Sequence, residues 1–164
     1  MSNAIVYSSQ TGNTRLLAET IHKLLPEALY FGQPDEKALS ARRIYVGFWT
    51  DKGSCDSATA DFLKTLTDQE VFLFGTAGFG GDPDYYEKIL ARVRKHLPKT
   101  VSVVGSCLCQ GKMPMSVRER YEKMQKSHMP VPNLKAMLEN FDRALSHPDA
   151  QDLEVLKEAV EASL

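Results

Sequence analysis

A chain of 164 residues with 43% hydrophobic and 25% charged side chains has the make-up of a globular domain, and that length can bury about 70% of its unfolded surface. A net charge of −1 excludes a general attraction to nucleic acid or anionic membrane. No apolar run reaches bilayer length and no basic flank leads into an apolar stretch at the N-terminus, so one cytoplasmic domain over residues 1–164 is expected.

Taken in order, Ala4-Ile5-Val6-Tyr7 predicts a first strand, followed by the polar turn Ser8 to Thr14 and a helix from about Asn13 through RLLAETIHKLL. Ala28 to Phe31 reads as a short second strand, and Asp35 to Ala41 as one or two helical turns. Arg43 to Phe48 is nearly continuous in apolarity, as suits a strand covered on both faces. A polar loop, Trp49 to Asp56, leads to a helix over Ser57–Thr67, and Glu70 to Gly75 is a fourth strand opening into TAGFGGDPDYY. A helix over Tyr85–Leu97 and a fifth strand over Val101–Gly105 follow. Helical spacing returns in Ser116–Lys126, Leu134–Leu145 and Asp152–Leu164. The stripe Leu134, Met137, Leu138, Phe141 and Leu145 is expected to pack on the sheet, as is the last segment. Strands alternating with helices predict an α/β fold, a parallel sheet wound on both faces. In such folds ligands bind beyond the carboxyl ends of the strands, where four of these five strands run into loops of unusual composition.

The turn SSQTGNT carries the most specific chemistry. Helix starts leave backbone N–H groups unpaired and carry partial positive charge, so amides there and the hydroxyls of Ser9, Thr11 and Thr14 can meet a phosphate. Gly12 lets the backbone close around such an anion. The turn lacks the lysine of a G-x-x-x-x-G-K-[ST] loop and the glycines of G-x-G-x-x-G, so neither a nucleoside triphosphate nor a dinucleotide is implied. Neutral donors suit one terminal monophosphate. An ordinary helix start, with Thr11 or Asn13 as N-cap, is the plainer alternative.

A strand followed by SSQTGNT resembles the flavin mononucleotide (FMN) phosphate loop of the flavodoxin family, Ser/Thr-x-Thr-Gly-Asn-Thr, matched from Ser9 to Thr14 with Gln10 at the variable position. The resemblance implies a flavodoxin-like five-stranded parallel sheet of order 2-1-3-4-5 and FMN as cofactor, with Ser9, Gln10, Thr11, Gly12, Asn13 and Thr14 on its phosphate. It covers residues 1–110, and the helical tail from about 115 to 164 exceeds the family's usual ending.

The family places an aromatic residue in the loop after its third strand, which carries a flavin-stacking role to Trp49, with Phe48 as second choice. Thr50, Asp51, Lys52 and Gly53 complete that loop. Gly53 is placed where the family has a peptide that turns over on reduction, and Lys52 is either a cation near the ring or a solvated loop lysine. Four glycines in FGTAGFGGDPDYY point to close approach of backbone to a ligand. Thr76, Ala77, Gly78, Phe79, Gly80 and Gly81 are assigned to the ring's polar edge, with Phe79 or Tyr85 on its other face. Asp82-Pro83 reads as a helix cap. Cys55, Cys107 and Cys109, an odd count without C-x-x-C, argue against a disulfide framework or a zinc site. Cys107 and Cys109 read as buried thiols on opposite faces of a persisting strand. Gln110 and Lys112 border the cofactor or a docking surface, and Lys112–Lys126, with five basic and two acidic residues, is either a solvated helix face or a docking site for an acidic partner. The four histidines are scattered and receive no chemistry, and no metal site is expected.

No residue is placed as a general acid or base. The leading reading is therefore an electron-transfer flavoprotein working between redox partner proteins. The segments WTDKG and CQGKMP resemble flavodoxin-like proteins encoded with bilirubin reductases, which implies a tetrapyrrole reductase as acceptor. The alternatives are an NAD(P)H- or quinone-dependent flavin reductase on the same fold and a flavin-free interaction module.

Overall fold

The computed structural model describes residues 1–80, 82–127 and 130–164. Its strands are β1 (Asn3–Tyr7), β2 (Tyr30–Gly32), β3 (Arg43–Asp51), β4 (Ser54–Cys55), β5 (Glu70–Ala77) and β6 (Ser102–Gln110). Five of them form a parallel sheet in the order β2-β1-β3-β5-β6, and β4 pairs antiparallel with the end of β3. Counting the five main strands alone, this is the 2-1-3-4-5 order. The described residues form six α-helices: α1 (Asn13–Leu24), α2 (Ser57–Lys64), α3 (Pro83–Arg94), α4 (Met115–Lys126), α5 (Leu134–Ala144) and α6 (Ala150–Ala162). Glu36–Ser40 forms a 3₁₀ turn capped by the Asp35 side chain.

Alternation along the strands sends side chains to two separate cores. Val6, Ile44, Val46, Phe48 and Leu73 pack with Leu63 of α2 and with Ile89 and Val93 of α3. Ile5, Tyr45, Phe72 and Phe74 face the other way, against Leu17 and Ile21 of α1 and Leu156 and Val160 of α6. β3 reads as a continuous apolar run because helices cover both of its faces.

Three strands extend further than expected, all on the carboxyl edge. β3 continues through Trp49, Thr50 and Asp51 because Thr50 pairs with Cys55 and Asp51 with Ser54 around a two-residue turn. Lys52 and Gly53 both take positive φ there, 51° and 82°, the conformation of a type I′ hairpin. The expected polar loop is thus a hairpin. β5 and β6 continue to Ala77 and Gln110 because Thr76 pairs with Cys109 and Ala77 with Gln110. β2 begins at Tyr30 instead of Ala28, α2 ends at Lys64, and α3 starts at Pro83.

Two further expectations are corrected. α6 packs on the sheet beside α1, whereas α5 lies chiefly on α4, with Arg118 over the Phe141 ring at 5.6 Å and paired with Asp142. The apolar stripe of α5 therefore meets a helix. Cys107 and Cys109 do not face opposite ways: residues two apart on a strand share a face, and both belong to the core beneath α6.

The hairpin is anchored by Asp56, which is 2% exposed. Its carboxylate accepts from the Thr59 amide (3.2 Å) and hydroxyl (2.9 Å) at the start of α2 and from the Trp49 amide (3.4 Å). Asp56→Ala is expected to lower unfolding free energy by about 1–3 kcal/mol, the loss of an N-cap that is also a buried acceptor. A urea midpoint indistinguishable from that of the parent would contradict this.

Candidate functional site

The phosphate-type turn stands where β1 ends and α1 begins. Gly12 takes φ +90° and occupies the N-cap position, where it offers α1 no capping side chain, and the first turn holds no acidic residue. The plainer alternative, with Thr11 or Asn13 as cap, therefore does not hold. The loop closes on itself through Ser9, whose Oγ accepts from the amides of Gly12 (3.1 Å) and Arg15 (3.4 Å). Thr14 Oγ1 donates to the Phe48 carbonyl at 3.1 Å, tying the helix start to β3.

Asn13 reaches across the sheet edge. Its Nδ2 donates to the Lys112 carbonyl at 2.8 Å, and Thr11 Oγ1 donates to the same oxygen at 3.4 Å. The Gly111 amide donates to the Ala77 carbonyl at 2.9 Å. A Cβ on Gly111 would stand 2.5 Å from Asn13 Nδ2, so only glycine permits this approach. The segment after β6 thus folds back over the loop, and it brings Lys112, a cation that the loop itself lacks.

Between these parts lie two connected spaces. A narrow slot of about 50 Å³ runs along Gln10, Thr11, Asn13, Thr14, Thr76 and Lys112. A wider cleft of about 440 Å³ opens beside it, lined by Trp49, Phe79, Tyr85, Met113, Pro114 and Val117. Gln10, Trp49, Thr50, Gly78, Met113 and Pro114 border both. Thr50 Oγ1 is buried without a hydrogen-bond partner among the described residues. An orphaned hydroxyl in the wall, a carboxylate-free helix start and an aromatic face together fit a ligand with a phosphate at one end and a flat ring at the other.

Asp51, Lys52 and Gly53 reach the cleft from the hairpin tip, and Ala77 lines the slot. Phe48 is not brought there: it is wholly buried, and a Cβ on Gly75 would press to 3.0 Å from its ring. Gly80 lines a neighbouring cavity beside Tyr86 and Gln110, while Gly81 lies outside the described residues.

Several residues of the site were not anticipated. Gly111, Met113, Pro114, Ser116, Val117 and Arg120 come from the β6–α4 segment, most of which was read as a solvated helix face or a docking site and none of which was assigned to the lining of the cleft. Asn140, 7% exposed on α5, donates to the Gly78 carbonyl at 3.0 Å. Gln110 donates to that same carbonyl and to Asn140 Oδ1, both at 3.0 Å, so the glycine loop is pinned by two amides. A polar residue inside the α5 stripe was the one signal that could have found Asn140. His147, given no chemistry from sequence, holds the back of the segment: its carbonyl accepts from the Lys112 amide at 3.0 Å, and Nδ1 lies 2.7 Å from Asp152 Oδ2. Asp149 and Asp152 cap α6 reciprocally, which commits their carboxylates to the helix start.

The family model described as "Flavodoxin domain" matches residues 4–161. The chain is 43% identical to the flavodoxin-like domain-containing protein BilS of Clostridium symbiosum (strain WAL-14163), covering 93% of this chain and 90% of that protein. Among solved structures, oxidised Flavodoxin 2 from Bacillus cereus superposes with a TM-score of 0.56 at 14% identity, over 99% of this chain and 97% of that one. A flavoprotein from Lactobacillus acidophilus NCFM, solved in complex with FMN, gives 0.51 at 14% identity, over 74% of this chain and 98% of that one. The fold, with its glycine-containing turn at the sheet edge, is that of a flavodoxin-like protein. The chain belongs to the flavodoxin domain family.

Two predictions follow from the walls of the site. Arg92 Nη1 donates to the Gly53 carbonyl at 3.2 Å and holds the hairpin tip against α3. Arg92→Ala is expected to speed amide hydrogen exchange at residues 51–54 several-fold while leaving β5 unchanged, as peptide-resolved mass spectrometry can measure; equal protection in both proteins is the contrary result. Burial also pushes the Cys55 and Cys107 thiols up from 9.0 to about 11, and Cys109 higher still. A raised thiol pKa means that stability is complete below pH 9 and falls as pH rises toward 11, because the unfolded chain ionises first. Urea midpoints measured from pH 8 to 11 should decline less steeply in Cys107→Ala than in the parent.

Proposed function

We propose that this chain binds one FMN in the slot and cleft and carries electrons between redox partner proteins in the cytoplasm, with a tetrapyrrole (bilirubin) reductase as acceptor. The observation that carries this reading is the carboxylate-free start of α1 opening into an aromatic-lined cleft. FMN supplies the redox chemistry when bound. Everything else is done by the chain.

The Ser9 hydroxyl and the Asn13 and Thr14 backbone amides that open α1 offer neutral donors to the phosphate, and Lys112 adds one positive charge at the slot. Charge-assisted hydrogen bonds of this kind are worth about 1.5–3 kcal/mol each. Trp49 and Tyr85 provide flat apolar surface for the ring, and burial keeps the Tyr85 phenol protonated by raising its pKa. Met113, Pro114 and Val117 exclude water from the cleft. The Gly78 carbonyl, held by Gln110 and Asn140, fixes the backbone of residues 76–79, which stands ready to hydrogen-bond a polar ring edge. The resemblance of WTDKG and CQGKMP to proteins encoded with bilirubin reductases supports the choice of acceptor.

Fluorescence titration of the apoprotein with FMN tests this directly, with one equivalent expected to bind and be quenched. Trp49→Ala should weaken binding about tenfold, the loss of stacking worth about 0.5–1.5 kcal/mol together with some buried area. Thr11→Glu should abolish binding by placing a carboxylate at the phosphate. Unchanged affinity in Thr11→Glu defeats the assignment, and bleaching of the bound flavin by NAD(P)H alone transfers the role to a reductase.

A further inference from the structure

We propose that the mouth of the cleft is a docking face for an acidic protein surface. This rests on the FMN reading above and specifies the chemistry of the partner. Lys52, at the hairpin tip, and Arg120, on α4, stand on the lining of the same wide cleft. Lys112 stands at the adjoining slot. Asp51 is the one carboxylate among the described lining residues of the two spaces. Asp82 and Asp84, at the start of α3, are exposed but belong to neither lining.

These cations are solvent-facing and unneutralised. Lys52, Lys112 and Arg120 are exposed, and none makes an ion pair among the described residues. Two residues before Arg120 on α4, Arg118 is paired with both Glu122 and Asp142. Lys112 is committed to the phosphate end, which leaves Lys52 and Arg120 at the outer lip. The local sign at the mouth is therefore positive, whereas the whole chain carries −1, and bound FMN makes the total more negative. A patch within a Debye length, about 10 Å at 0.1 M salt, governs encounter more than the net charge does. Opposite local and global signs make the proposal testable without knowing the partner.

The experiment uses FMN-loaded protein, reduced anaerobically and mixed with one of two one-electron oxidants. Hexacyanoferrate(III) is a trianion and hexaammineruthenium(III) a trication. Each metal complex gains one electron, so two are consumed per fully reduced flavin, whose released protons pass to water. Reoxidation by hexacyanoferrate(III) is expected to slow about tenfold between roughly 10 mM and 200 mM ionic strength, and reoxidation by the ruthenium complex to quicken. Arg120→Gln should flatten both slopes and Arg120→Glu should reverse them. Poly-glutamate, the acidic polypeptide probe, should slow the hexacyanoferrate(III) reaction at low salt, and poly-lysine should not.

A hexacyanoferrate(III) rate that climbs with salt in the parent protein follows the net charge and overturns the proposal. The expected slopes without any effect of poly-glutamate overturn it as a protein-docking face. Protein that takes up no FMN, or whose reduced flavin reacts with neither oxidant, instead overturns the cofactor reading and the docking face with it.

Discussion

The site depends on one partly buried hydrogen bond, from the Asn13 side-chain amide to the Lys112 carbonyl. It joins the first turn of the first helix to the segment that leaves the last strand, 99 residues later in the chain. A buried amide left without a partner costs more than the bond itself gains, so the two parts must meet once both leave water. Gly111 makes the meeting sterically permissible, because any side chain there would occupy the place of Asn13 Nδ2. From this contact the chain runs into α4, and Met113, Pro114 and Val117 along that path line the cleft.

The chemistry of the site is divided among elements according to their rigidity. Neutral donors sit at a helix start that both β3 and the post-β6 segment hold in place. The flat aromatic surface is carried by a hairpin tied to α2 by Asp56 and to α3 by Arg92. The glycine loop, which supplies little packing of its own, borrows its order from Gln110 and Asn140. Charge is left for the outer lip, on Lys52 and Arg120, where solvent lowers the cost of keeping it unpaired.

The α4–α5 pair does more than extend the chain. α6 takes the place beside α1 on the sheet, so the two intervening helices are free to pack on each other. They contribute Ser116, Val117 and Arg120 to the cleft and Asn140 to the glycine loop. A segment that reads as a surplus tail is thereby built into the site.

What the sequence determined by itself was local or periodic. Buried strands show as apolar runs and helices as 3.6-residue stripes, so the fold class was legible; the strand order came only with the family resemblance that SSQTGNT carries. Residues of that turn and Trp49, standing alone at the end of a strand, were expected at the ligand edge and line the slot and cleft there. Tertiary structure decided what depends on pairing between distant segments. Strand ends at Asp51, Ala77 and Gln110 are set by partners across the sheet and not by local propensity. Phe48 and Trp49 are adjacent aromatics, and only the pleat sends one into the core and the other to the cleft. The roles of Gly111, Arg120 and Asn140 arise from a chain reversal after β6 that leaves no periodic trace. A contact between residues about a hundred positions apart is written in the packing of the whole molecule and in neither residue's neighbourhood.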